Sequence, residues 1–125
     1  MREPSQTILV VEDDTAVRQP LVKFLQMRQF NVVTAETADE GLDAIRQHRP
    51  AAAIVDLRLR RGSGREVVVS VPPEVPVIIF SGLRSESADL EHVRPLTRMV
   101  EKPYSLVMLM DTLEDMLEQA RAAHP

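Results

Sequence analysis

The chain has no cysteine and no tryptophan, and its one tyrosine and three phenylalanines make aromatics 3% of 125 residues. Without cysteine there is neither a disulfide nor a thiolate site for zinc or redox chemistry. So few rings argue against base stacking and RNA reading. A basic excess is missing too: 15 Lys and Arg stand against 19 Asp and Glu, a formal charge of −4, so no cationic field points to nucleic acid. No apolar stretch approaches the roughly 20 residues that cross a bilayer. Met1-Arg2-Glu3-Pro4-Ser5 lacks the layout of a signal peptide. The expectation is a soluble, cytoplasmic protein with no membrane or nucleic-acid partner. What the chain does have is globular composition, 44% hydrophobic and 27% charged, at a length that suits one core. Residues 6–122 are expected to form that domain, with 1–5 and 123–125 as short tails.

Apolar runs at 7–11, 31–35, 51–55 and 76–80 read as strands, and 97–101 as a weaker fifth. Between them the spacing turns helical. Val17, Leu21, Phe24 and Leu25 share a helix face, with Asp14 or Thr15 placed to cap it. Pro20 inside that helix predicts a kink or a loosened first turn. Thr37 followed by Glu40 has the capping-box pattern and opens a helix to about His48, which Pro50 ends. Residues 65–71 predict a short helix despite their valines, which are mildly poor helix material. A polar helix is expected over 85–93. From Ser105, Leu106, Leu109, Met110, Leu113, Met116, Leu117 and Ala120 give the clearest amphipathic helix. Five βα repeats imply a parallel sheet with helices on both faces.

In such a sheet, ligands bind outside the carboxyl ends of the strands. Four runs deliver polar groups there: Glu12-Asp13-Asp14 after the first, Asp56 after the third, Ser81 after the fourth and Lys102 after the fifth. Clustered carboxylates raise one another's pKa unless a cation neutralises them. An all-oxygen donor set, without cysteine or paired histidines, favours Mg2+ over zinc. Asp56 is the candidate nucleophile, because a carboxylate can form an acyl phosphate when positive charge neutralises the phosphoryl oxygens. Lys102 could supply that charge and Ser81 a hydroxyl hydrogen bond. Plainer roles stand beside each: Glu12 to Asp14 as helix caps, Lys102 as a solvated surface charge, Ser81 as a turn residue. Arg58, Arg60 and Arg61 could attract an anionic phosphodonor or form a solvated loop. His48, His92 and His124 lack metal-site spacing, and Met108, Met110 and Met116 read as helix packing.

The set Val10-Val11-Glu12-Asp13, Ile54-Val55-Asp56, Phe80-Ser81-Gly82 and Glu101-Lys102-Pro103 resembles the receiver domain of two-component response regulators. The resemblance implies a flavodoxin-like (βα)5 fold, an α/β doubly wound sheet with strand order 2-1-3-4-5. It implies that Asp56 is phosphorylated by a histidine kinase or histidine phosphotransfer protein. Asp13, Asp56 and the backbone carbonyl of Arg58 would hold Mg2+, with Glu12 acting through a bound water. Ser81 and Lys102 would bind the phosphoryl group, Gly82 would keep its entrance open, and the Lys102–Pro103 bond would be cis. Phosphorylation would switch the face made by the fourth helix, fifth strand and fifth helix toward a downstream protein or a second copy of the chain. Such a domain is a signalling phosphoacceptor rather than an enzyme, assisting its own phosphorylation and slow dephosphorylation.

The sequence departs from that pattern at three places. Met99 replaces the switch aromatic three residues before the lysine, Arg60 stands where a proline is common, and the third helix is about one turn short. Two other functions compete. A degenerate receiver would dock partners independently of phosphorylation. A haloacid-dehalogenase-like phosphohydrolase also uses an aspartyl nucleophile and Mg2+, but needs Asp-x-Asp-x-Thr where this chain has Glu12-Asp13-Asp14-Thr15-Ala16.

Overall fold

A computed structural model describes residues 6–82 and 87–123. Among these, five strands alternate with five helices: β1 (Thr7–Val11), α1 (Thr15–Met27), β2 (Asn31–Ala35), α2 (Ala38–His48), β3 (Ala52–Asp56), α3 (Gly64–Ser70), β4 (Val77–Ser81), α4 (Ala88–Val93), β5 (Thr97–Glu101) and α5 (Leu106–Ala123). All strand pairs are parallel, in the order β2-β1-β3-β4-β5. The expected α/β flavodoxin-like architecture is therefore present. The order reverses between β1 and β3, which places a crevice at their carboxyl ends.

Burial explains why the central strands read as continuous apolar runs. Along β1, Ile8 and Val10 face one core and Leu9 and Val11 the other, as the two-residue period of a strand requires. The first core is closed by Leu21 and Leu25 of α1 and by Leu109, Met110, Leu113, Met116 and Leu117 of α5. The second is closed by Ala38 and Ala44 of α2, Val67 and Val68 of α3 and Leu90 of α4. Every residue of β3 and β4 is buried, including their last, Asp56 and Ser81. Both polar residues belong to the strands rather than following them. Their main chains stay in the ladder.

Local chemistry sets the helix starts. Asp14 caps α1 by accepting the Ala16 N–H at 2.9 Å. The helix runs through Pro20 to Met27, so the turn expected to loosen there does not end it. Thr37 caps α2 by accepting the Glu40 N–H at 3.1 Å, while the Glu40 carboxylate reaches back to the Glu36 N–H at 2.9 Å. That reciprocal bond lands one residue earlier than in a standard capping box. Ser63 caps the seven-residue α3. The start expected for α4, at 85, lies outside the described residues, as does His124.

The β3–α3 loop is shaped by two glycines. Gly62 has φ +80°, a left-handed conformation that L side chains rarely adopt, and a Cβ there would come within 2.5 Å of the Ala38 Cβ. At Gly64 a Cβ would stand 2.1 Å from the Asp56 carbonyl oxygen. No larger residue fits this crossing unless the backbone moves. The loop is thus pressed against the end of β3, beside the polar residues of the crevice.

Candidate functional site

The carboxyl ends of β1, β3 and β5 bring Glu12, Asp13, Asp56 and Lys102 together. They line a cavity of about 490 Å3 with Asp14, Arg58, Leu59, Arg60 and Gly82. One carboxylate oxygen each from Glu12, Asp13 and Asp56 lies within 4.8 Å of the others. Lys102 Nζ donates to Asp56 Oδ2 at 3.0 Å and to Glu12 Oε1 at 3.3 Å, bridging the last residue of β3 and the residue that follows β1. Glu12 and Asp56 are almost wholly buried, whereas a third of the Lys102 side chain reaches solvent. The Lys102–Pro103 bond is cis, as the resemblance implied, and the Lys102 N–H donates to the Ser81 carbonyl at 3.1 Å.

Burial pushes the Glu12 carboxyl up to about 7; Asp56 adds to the rise, while the Asp14 N–H and Lys102 oppose it. For Lys102, burial works against the charge, but its contacts with Asp56 and Glu12 prevail and raise its pKa. The Tyr104 hydroxyl is pushed up to about 12 by burial and by the charges of Glu12 and Asp56. Its ring stacks on Phe80 with centroids 4.5 Å apart. The aromatic next to the site therefore stands two residues after the lysine. Met99, three residues before it, is buried in β5.

Of the residues singled out in the sequence, Glu12, Asp13, Asp56, Arg58 and Lys102 share one cavity. Ser81 ends β4 beside it, 1% exposed, and the β4–α4 turn contributes Gly82 to the described lining. Arg58, Arg60 and Arg61 are exposed. Arg60 is nonetheless engaged: its N–H donates to Asp13 Oδ2 at 2.7 Å. His48 and His92 are exposed on their helices. Sequence reading missed Tyr104 and the Arg60 N–H. A lone tyrosine after Lys-Pro was a usable signal for the first, but a main-chain donor leaves no mark in residue identity.

Three carboxylates and no nitrogen or sulfur donor make a set suited to a hard divalent cation that takes oxygen ligands. The carboxylate of Asp56 is pre-aimed by the Arg58 N–H, which donates to its Oδ1 at 2.9 Å. A buried carboxylate can attack an electrophilic, anionic group and an adjacent ammonium can offset its charge, while the further acidic groups favour that chemistry only with a cation between them and the anion.

The family described as the response regulator receiver domain matches residues 8–114. The regulatory protein VirG of Agrobacterium fabrum is 33% identical over 106 residues, which are 82% of this chain and 42% of VirG. The chain spans less than half the length of the curated relatives it matches first. In three dimensions it is similar to a CheY-like response regulator receiver domain protein from Methanospirillum hungatei, with a TM-score of 0.89 and 24% identity over 96% of this chain and 99% of that one. That likeness shows the fold. The receiver domain of NtrX from Brucella abortus is 29% identical, with a TM-score of 0.79 over 89% and 98% of the two chains.

Proposed function

This chain belongs to the response regulator receiver domain family, and from that premise we propose that Asp56 is its phosphoacceptor, served by Mg2+, with a histidine kinase or histidine phosphotransfer protein as donor. The observation that carries the reading is the Lys102 bridge, one ammonium 3.0 Å from Asp56 and 3.3 Å from Glu12 at the mouth of the sheet. In the transfer, an Asp56 carboxylate oxygen forms a bond to phosphorus as the bond from phosphorus to the donor imidazole nitrogen breaks. The electron pair of that broken bond returns to the imidazole. Lys102 offsets the charge of the phosphoryl oxygens, and the Arg58 N–H holds the Asp56 carboxylate in orientation. Glu12, Asp13 and Asp56 would hold Mg2+ with the Arg58 carbonyl, and Mg2+ when bound supplies further neutralising charge to the phosphoryl group. Ser81 is assigned the hydroxyl hydrogen bond to that group.

The output assigned here is a change at the α4–β5–α5 face, read by a downstream protein or a second copy of the chain. Exposed Val93, Val107 and Met108 give that face apolar contact area. The domain is a signalling acceptor that modifies itself, not a catalyst of many turnovers. Incubation with acetyl phosphate or beryllofluoride, with and without Mg2+, tests this. Modification of the wild type that needs Mg2+ and disappears in Asp56→Asn is expected. An unmodified wild type sinks the phosphoacceptor assignment, and multiple turnover of phosphoesters would favour a hydrolase.

A further inference from the structure

Arg18 stands one turn into α1, and its side chain, 13% exposed, folds back over the β1–α1 turn that carries Glu12, Asp13 and Asp14. Its Nη1 donates to the Glu12 carbonyl at 2.8 Å and its Nη2 to Thr15 Oγ1 at 3.2 Å. Nη1 also lies 3.7 Å from Glu36 Oε1, on a side chain 58% exposed. The shortest of these contacts is with a neutral main-chain oxygen, not with the carboxylate. The Glu12 N–H donates in turn to the Ala35 carbonyl at 3.0 Å, so both main-chain polar groups of Glu12 are held. Two residues on, Asp14 caps α1 with its side chain, and its carbonyl accepts the Val17 and Arg18 N–H groups at 3.1 and 2.9 Å. Asp13 lies between these two anchors.

We infer that Arg18 is a positioning residue for the cation site: by holding the Glu12 carbonyl it fixes the peptide on which the Asp13 carboxylate is mounted. This rests on the reading of Asp13 as a Mg2+ ligand. The Glu12 carbonyl and the Asp13 N–H share one rigid peptide plane, so a bond to that carbonyl sets the plane from which Asp13 projects. Arg18 meets Glu12 through the main chain, and its effect on the cluster is therefore one of geometry. Its charge alone works the other way, because a guanidinium near three carboxylates weakens their pull on a divalent cation. The sign of the effect separates the two roles. Lysine is no equivalent here, since an ammonium lacks the planar fork that meets the carbonyl and the Thr15 hydroxyl together.

Calorimetric titration of the full chain with Mg2+ reads that sign. Arg18→Met keeps an apolar stem but no donor, and is expected to bind Mg2+ about tenfold more weakly than wild type, the lower end for groups that orient metal ligands from outside. Glu36→Gln removes the exposed ion pair, leaves the Arg18 donors in place, and should bind within about twofold of wild type. Equal or tighter binding by Arg18→Met overturns the positioning role while the Mg2+ site stands. A Glu36→Gln variant weakened as much as Arg18→Met overturns it as well, by moving the effect to the ion pair. A wild type that binds no Mg2+ removes the cation reading and this role with it. Should Arg18→Met fail to fold, Arg18→Lys makes the comparison with the charge retained: weaker binding is expected, and binding equal to wild type refutes the role. Metal-free protein gives a second readout, the Asp13 amide nitrogen resonance. It should shift in Arg18→Met and hold its place in Glu36→Gln; an unmoved resonance in Arg18→Met refutes the hold on that peptide.

Discussion

Glu12 carries the clearest consequence at the scale of one residue. Its carboxyl titrates near 7 in the folded protein against an ordinary value of 4.5, with burial as the main cause. Between those two values the folded chain holds a proton that the unfolded chain has released. This group therefore stabilises the fold below its unfolded pKa, and the stabilisation is lost as pH rises through about 7. The slope is at most about 1.4 kcal/mol per pH unit. Lys102, also raised, has its contribution in place throughout this window and loses it only at far higher pH. In metal-free buffer the urea midpoint should fall from about pH 5 to about pH 7.5, and Glu12→Gln should flatten that fall. A wild-type midpoint that rises over the same range contradicts the assignment. The sequence announces Glu12 because an acidic residue directly after four buried apolar ones is conspicuous. That Lys102 would touch both Glu12 and Asp56 is not readable from spacing, since it depends on β5 lying two strands away from β3.

At the scale of elements, Arg94 holds one edge of the molecule together, and nothing in its sequence context marks it. It stands between α4 and Pro95, yet it is 6% exposed and donates to the carbonyls of Val71, Pro72 and Val75 at 3.1, 2.6 and 3.1 Å and to Thr97 Oγ1 at 2.9 Å. The α3–β4 segment is thereby clamped to the start of β5. Burial lowers its pKa, with the charge of Glu74 opposing that fall; the hydrogen bonds themselves go to neutral oxygens. Removing the guanidinium strands several of these acceptors, so Arg94→Met should cost about 1–3 kcal/mol in urea unfolding. Arg94→Lys should not restore it, since an ammonium lacks the planar fork that reaches separate acceptors. A loss under about 0.5 kcal/mol would match an ordinary surface change and refute the clamp. The strands themselves were legible, because β3 and β4 are buried on both faces and leave unbroken apolar runs. Element ends were less so. Asp56 and Ser81 are polar, hence read as lying past the strands, although their backbones remain in the sheet.

For the molecule as a whole, a Mg2+ ion held by the acidic cluster, as proposed, would couple folding to the cation. Three carboxylates meet at one end of a chain that is already net negative, and a single lysine answers two of them. A divalent cation bound only by the folded state adds stability of RT ln(1 + [L]/Kd), about 2.7 kcal/mol at a hundredfold excess over Kd. For a domain of this size each kcal/mol moves the melting temperature by roughly 3–5 °C, so Mg2+ should raise it by about 10 °C over metal-free buffer. The same cluster also takes a proton, on Glu12, and a proton and a cation compete for one site. The Mg2+ shift should therefore shrink as pH falls from about 8 to about 5, while the metal-free protein becomes more stable. Melting curves at several pH values, with Mg2+ and with chelator, measure both trends at once. Asp13→Asn, which removes a carboxylate other than the protonated one, should diminish the Mg2+ shift at every pH yet leave the metal-free pH trend in place. A Mg2+ shift that is independent of pH would mean that cation and proton do not share the cluster, and an absent shift would remove the case for a cation there.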